Sequence, residues 1–301
     1  MVLVTDGLVL AVSLAMFAGC AASSDMPPMP ATRLSFEARC ADPAVVKCVG
    51  FDSPAEVEPF IYPVYGTTEK RGRVVTDVKA SGAASLRFEI PSNTGSDTSG
   101  SYWQNFSDDL SVQFGEGQEF FVQWRQRFSP DFLGTNYRDG GGWKQVIIGE
   151  GDRPGVTVYS CTQLEIVTQN TYQRGFPQMY HSCGGKDGQY QGLANERAVS
   201  YRPNQWMTFQ VQVKIGHWYR NDRRYHRDST VRLWVGAEGQ ASRVAVDESS
   251  YDLANNEAAA RYGKVWLLPY HSGKNPSQRH PTAYTWYDEL VISRSRIADP
   301  A

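Results

Sequence analysis

From Met207 to Ile215 the chain alternates without a break. Met207, Phe209, Val211, Val213 and Ile215 are apolar, and Thr208, Gln210, Gln212 and Lys214 between them are polar. A period of two belongs to a strand with one face in a core and the other turned away, and a helix cannot use it. The pattern recurs in Gln118 to Phe128, where Phe120, Val122 and Trp124 share one side and Phe121, Gln123, Arg125 and Arg127 the other. Val231, Leu233 and Val235 likewise oppose Arg232 and Trp234. Ser85 to Ile90, Trp143 to Ile148, Gln163 to Asn170, Lys264 to His271 and Tyr284 to Ser293 read as further strands. Only Asp252 to Arg261 reads as a helix, with Asp252 as its N-cap. An aromatic content of 12% suits strands. So many half-apolar strands, joined by polar loops, predict an all-β fold: a two-sheet antiparallel β-sandwich, most simply a β-jelly roll.

The N-terminus differs in character. Leu8 to Gly19 carries no charge, is short for a bilayer span, and runs into Phe17-Ala18-Gly19-Cys20. Small residues before a cysteine resemble the lipobox of bacterial lipoproteins, which makes residues 1–20 a signal peptide and Cys20 the lipidated first residue of the mature chain. The alternative is ordinary cleavage near Ala21-Ala22, with Cys20 lost. Residues 21–34 are small, polar and proline-rich and read as a tether, leaving 35–301 as one domain. The membrane would then be touched only through the lipid, and the protein would be exported, either anchored in the cell envelope or secreted. Four further cysteines allow three connectivities. Proximity favours Cys40 with Cys48 and Cys161 with Cys183, which implies an oxidising compartment; reduced, buried thiols are the alternative. Thirty Lys and Arg against thirty-two Asp and Glu create no one-signed field, so nucleic acid is not expected as a partner.

Several polar side chains stand at strand positions: Gln123, Arg125 and Arg127, then Lys144, Gln145, Glu165, Gln169 and Asn170. If their strands are neighbours in one sheet, alternation aims them onto a single concave face. Guanidinium forks hold carboxylates and side-chain amides hold hydroxyls, so such a face suits an acidic oligosaccharide. Otherwise these charges pair with one another, Arg125 or Arg127 with Glu165 for example. A second cluster gathers Tyr270, His271, Lys274, His280, Tyr284 and Trp286, and His181 sits beside Tyr180. Histidine and tyrosine can exchange protons when their surroundings tune them. His217 and His226 flank a basic run that reads as a solvated hairpin loop. Trp143 and Tyr102 follow loop-like stretches and are the aromatics best placed to stack on sugar.

The pieces SLRFEIPS, FFVQWRQRFSP, WKQVIIGEG and YTWYDELVISRSRI resemble the concanavalin A-like polysaccharide lyases, above all the alginate-lyase and glucuronan-lyase groups. The resemblance covers most of residues 48–296 and implies a monomer that cleaves a uronate-containing polysaccharide by β-elimination. It implies that Arg125 or Arg127 and Gln145 neutralise the uronate carboxylate and that Tyr270 protonates the leaving oxygen. The family's Gln-X-His is absent, since Val146 and Ile147 follow Gln145, so His181 or His271 would have to remove the C5 proton. Gln123, Lys144, Glu165, Gln169, Trp143, Tyr102 and Lys274 would line the substrate. A structural calcium held by Asp52 and Asp288, with Asn93 and Asp97 of the loop between them, is also implied. Two other functions use the same groove. One is a lectin-like protein that binds without cleaving; the other is a glycoside hydrolase in which Glu165 pairs with Glu150, Glu119 or Glu289.

Overall fold

The computed structural model describes residues 32–96, 98–140, 142–151, 164–169, 176–181, 191–193, 200–224, 226–253, 255 and 257–301, with backbone alone for 164–169, 176 and 191–193. In chain order the strands are β1 (Arg33–Leu34), β2 (Val45–Val49), β3 (Ile61–Tyr62), β4 (Gly72–Val75), β5 (Ser85–Ile90) and β6 (Ser101–Asn105). There follow β7 (Glu119–Phe128), β8 (Trp143–Glu150), β9 (Leu164–Gln169), β10 (Phe176–His181), β11 (Gln191–Leu193) and β12 (Met207–Lys214). The last are β13 (Ser229–Gly236), β14 (Arg243–Tyr251), β15 (Tyr262–Leu267), β16 (Ala283–Ser293) and β17 (Asp299–Pro300).

Two antiparallel sheets pack face to face, as the alternation demands. One has seven strands in the order β11-β10-β9-β8-β15-β6-β3. The other has eight, β14-β13-β12-β7-β16-β5-β4, with β2 added alongside β16. A parallel pair, β1 with β17, joins the two ends of the domain. The β-jelly-roll sandwich expected from the sequence is therefore the observed architecture. Asp252 to Arg261 is not a helix: Asn255 forms a parallel bridge with Tyr219, and Leu253 and Ala260 are buried. The Asn255 backbone pairs with Trp218 and Arg220, and burying Leu253 and Ala260 in the core outweighs the weak helical propensity of a short alanine run.

Between the sheets lies one aromatic core. Trp124 stacks on Phe209 at 5.3 Å, Phe128 meets Trp143 and Tyr201 at 5.2 Å, and Trp143 meets Phe132 at 4.6 Å. A hydrogen-bonded relay crosses it. Gln145 Nε2 donates to Gln126 Oε1 (2.8 Å), Gln126 Nε2 to Thr285 Oγ1 (2.9 Å), and the Tyr201 hydroxyl to Gln145 Oε1 (2.8 Å). The Tyr287 hydroxyl adds a bond to the Gln145 carbonyl at 2.9 Å. Each amide is paired, so this buried polarity ties the sheets together without an unmet donor or acceptor at either glutamine side chain.

The far side of the eight-stranded sheet is partly roofed by the chain ends. Helix α1 (Phe36–Cys40), capped by Ser35, lies against β16 and is fastened to β2 by the Cys40–Cys48 disulfide. Arg39 reaches from it to the side chains of Gln123 and Glu289, and Arg125 stands 3.5 Å from the same carboxylate. Gln123 and Gln210 donate to the carbonyls of Ala298 and Ile297, both at 3.0 Å, pinning the C-terminal segment. Cys20, Cys161 and Cys183, with the expected leader and most of the tether, lie outside the described residues. Among the described residues no helix is long and apolar enough to cross a membrane.

Glu289 is thus the shared counter-charge of two buried guanidiniums. Its replacement by alanine leaves both without a partner, and breaking such a pair costs about 3–5 kcal/mol. Chemical denaturation of Glu289→Ala should show a loss of that size; a loss below about 1 kcal/mol would mean that the cluster is solvated.

Candidate functional site

The expected gathering of Gln123, Arg125 and Arg127 with the residues of β8 and β9 does not occur. β7 belongs to the eight-stranded sheet, while β8 and β9 belong to the seven-stranded sheet, so the two sets are on opposite sides of the molecule. Gln123 and Arg125 are buried beneath the chain ends, and Arg127 is half-buried on that same outward face. Gln145 is turned into the core. Trp143, Lys144 and Gln145 alternate in, out and in; the register of β8 against β9 then slips between Lys144 and Val146, and this bulge lets Gln145 and Val146 both face inward.

Both candidate histidines are interior. His181 is fully buried next to Met179, and its backbone amide donates to the Tyr251 hydroxyl. His271 is fully buried against the rings of Phe132 and Tyr137, with Nδ1 3.0 Å from the Pro269 carbonyl. Burial holds the His181 imidazole down at about 4, with the Arg220 charge adding to it, and holds His271 down at about 3. Neither is placed to take a proton from a polymer lying outside the sheet. Trp143 and Tyr102 are fully buried core residues, because they occupy the inward positions of β8 and β6. Lys274 is buried with its ammonium on the Pro91 carbonyl, and burial lowers it to about 8. His217 and His226 do lie in an exposed hairpin loop, paired with Asp228 and Asp222.

The acidic residues proposed for calcium are seen in part. Asp52 accepts from the amides of Ala83 and Ala84, and Asp288 accepts from Ala80 (2.8 Å), Ser81 (3.4 Å) and Glu289 (2.8 Å). Both carboxylates therefore organise the 80–84 loop through N–H donors, a poor ligand field for a cation. Asn93 bonds instead to the Pro276 carbonyl. Asp97 lies outside the described residues. Among the described residues no group of three or more His, Cys, Asp or Glu side chains comes together.

What the seven-stranded sheet presents outward is a groove of about 510 Å³. Its floor holds Lys144 and Ile147 from β8, Trp266 from β15 and Trp103 from β6, and its wall holds Tyr62, Tyr270 and the 63–67 loop. Tyr62 stacks on Trp103 (4.3 Å, 20°), and Trp103 leans on Trp266 at 4.9 Å. Lys264 Nζ lies 5.0 Å from the Trp103 ring and 4.5 Å from the Trp266 ring. Lys144 Nζ lies 5.2 Å from the Tyr270 ring and 6.0 Å from that of Tyr180. Ammonium groups over aromatic faces keep their charge with part of their hydration removed, which strengthens their pull on an incoming anion. Tyr65 at the lip is 87% exposed, the one large hydrophobic so exposed among the described residues.

Of the expected site residues, Lys144 and Tyr270 meet here. Glu165 enters by register only, its backbone opposite Ile147 on one side and Tyr180 on the other; Gln169 stands further along, opposite Phe176. Asn170 lies outside the described residues. Sequence reasoning missed Lys264, Trp266, Trp103, Tyr62 and Tyr65. The alternation Lys264-Val265-Trp266-Leu267 carries the signal for the first two.

No protein-family model matches the chain, and no curated protein matches it in sequence. Solved structures do resemble it. The marine alginate lyase of family PL-14 from Aplysia kurodai shares 14% identity over 82% of this chain and 98% of its own, with a TM-score of 0.58. An endo-β-1,4-glucuronan lyase from the fungus Trichoderma reesei covers 78% of this chain and 94% of its own at 16% identity and a TM-score of 0.48. The catalytic domain of a glycoside hydrolase family 131 protein from Coprinopsis cinerea covers 85% and 97% at 13% identity and a TM-score of 0.47. At such identities the likeness to the Aplysia enzyme establishes a shared jelly-roll fold and nothing finer.

The buried histidines give stability a sign. Each is held neutral in the fold but protonates once unfolded, so acidification from pH 6.5 toward 4 favours the unfolded chain. Asp288 acts in reverse: burial raises it from 3.8 to about 7, the fold keeps its proton through that window, and its contribution weakens as pH rises. Denaturant midpoints should fall on acidification through this range. The fall should be shallower in His271→Leu and steeper in Asp288→Asn; unchanged slopes in both variants would contradict these protonation states.

Proposed function

We propose that the protein binds a uronate-containing polysaccharide along the groove of the seven-stranded sheet and cleaves it by β-elimination. The observation that supports this reading is Lys144, set beside Tyr270 and Tyr180 in an open groove whose floor carries Trp103 and Trp266, with Lys264 buried against those two indoles. Aromatic faces accept the C–H surface of sugar rings, and the Lys144 ammonium meets a carboxylate. A C5 proton leaves only if the growing negative charge on the adjacent carboxylate is met by groups already in place. Lys144 is positioned for that role, and the Tyr270 oxygen beside it takes the C5 proton and delivers a proton to the leaving oxygen as the glycosidic bond breaks.

Hydrolysis is less well supported. Glu289 serves the guanidiniums of the other sheet, and Glu119 accepts from Gln212 there. Glu150 remains in the same sheet as Glu165. It lies three residues beyond Ile147, the partner of Glu165, or about 10 Å of strand, longer than a retaining pair allows.

The Cys40–Cys48 disulfide supports folding in an oxidising compartment. With the Cys20 lipobox resemblance, this favours an exported protein tethered by lipid. No step of the proposed reaction is assigned to calcium.

Incubation with soluble polyuronates should generate the ultraviolet absorbance of unsaturated uronides. Lys144→Ala should lower kcat/KM at least about 100-fold, through kcat. Trp266→Ala should act mainly on KM, by about tenfold. Affinity without new absorbance would make this a binding protein, and new reducing ends without absorbance would make it a hydrolase.

A further inference from the structure

Register places four residues side by side on the outward face of the eight-stranded sheet. Arg127 of β7 pairs with Trp286 of β16, Trp286 with Arg87 of β5, and Arg87 with Arg73 of β4. Directly paired residues share a face, and the chain neighbours Leu86, Phe88, Tyr287 and Phe128 are buried in the core, so this row looks away from it. At the usual strand spacing it spans about 14 Å. Arg73 is exposed, and Arg87 and Arg127 are half-buried.

Among the described residues nothing neutralises this row. Arg73 and Arg87 stand directly opposite each other, an arrangement that like charges make unfavourable. Among the described residues no carboxylate lies within ion-pair distance of Arg73, Arg87 or Arg127. Glu89, two residues along β5 from Arg87, is engaged by Arg71 at 3.4 Å, and Asp288, two residues along β16 from Trp286, accepts from the amides of Ala80 and Ser81. Arg87 lies flat over Tyr284 at 5.0 Å, and Tyr284 leans on Trp286 at 6.0 Å. Arg127 Nε and Trp286 Nε1 are buried donors with no hydrogen-bond partner. The surface is therefore a row of three arginines and one tryptophan, Arg87 seated over Tyr284, and short of anions among the described residues.

We infer that this row is a second binding surface, separate from the groove, for a linear glycan carrying carboxylates. A guanidinium fork receives a carboxylate through two parallel hydrogen bonds, and rings beneath the guanidinium hold the fork in plane. Strand spacing and one pyranose unit are similar in length, so a chain laid across β7, β16, β5 and β4 meets Arg127, Trp286, Arg87 and Arg73 in succession. The choice of a uronate chain rests on the function proposed for the opposite sheet; the anion-binding character rests on the row alone. With surfaces on both sides of the sandwich, one protein holds a long polymer at two places, which raises apparent affinity for long chains over short ones.

The double variant Arg73→Gln/Arg87→Gln separates the two surfaces. Binding of a long soluble polyuronate is measured by calorimetry in the Lys144→Ala background, and turnover of short oligouronates in the otherwise native protein. Removing the exposed Arg73 and half-buried Arg87 charges should weaken long-chain binding roughly tenfold, leave short-substrate turnover unchanged, and leave the melting temperature equal or raised as the like-charge contact is relieved. Unchanged long-chain affinity overturns the inference. So does an equal loss for a neutral polysaccharide, or a stronger arginine-dependent affinity for duplex DNA or anionic vesicles than for polyuronate. If short uronates are neither bound nor cleaved while long-chain binding still depends on the two arginines, the groove reading fails and this surface stands.

Discussion

A two-layer sandwich has four sheet faces, and the shared core claims two of them. Here the claim is reinforced by the relay from Thr285 through Gln126 and Gln145 to Tyr201, which fixes how the layers sit across the aromatic core. Every other role must be placed on the two faces that remain. One is partly closed by the chain ends over Arg39, Arg125 and Glu289, and the other is left open as a groove. Which polar residues are structural and which can meet a ligand follows from that division.

The division also explains the two kinds of buried charge. The Arg39, Glu289 and Arg125 cluster is internal, one carboxylate shared by two guanidiniums, with Gln123 accepting from Arg39. Lys264 is as buried, and its ammonium packs against the indole rings of Trp103 and Trp266 that floor the groove. The first arrangement closes a surface. The second sets a cation against the aromatic floor of an open one.

Much of the fold was legible in the chain. Strands β5, β7, β8, β9, β12, β13 and β16 follow from alternation nearly to the residue, because each exposes one clean apolar side. Short or irregular strands escaped: β4 and β6 have too few residues for a period to show, and β14 is polar over most of its length. The site was less legible. Alternation tells which residues share a side of one strand, but not which sheet the strand joins. Arg125 and Lys144, both correctly turned from the core, therefore ended on opposite surfaces. Trp143 and Tyr102 were misplaced because loop-like sequence precedes them, although each occupies an inward position of its own strand. The histidines misled for a simple reason: a neutral imidazole is tolerated in an aromatic interior, and sequence does not show its burial.

The bulge in β8 reaches further than its size. With one residue added between Lys144 and Val146, parity changes along the strand, so positions counted forward from Trp143 and backward from Ile148 disagree about which side is which. Two sandwiches with the same string of residue types here, one bulged and one regularly paired, would expose different ones. Equivalence between grooves of this architecture is therefore a matter of geometry, and matching letters across the kink would pair an interior amide with a surface cation.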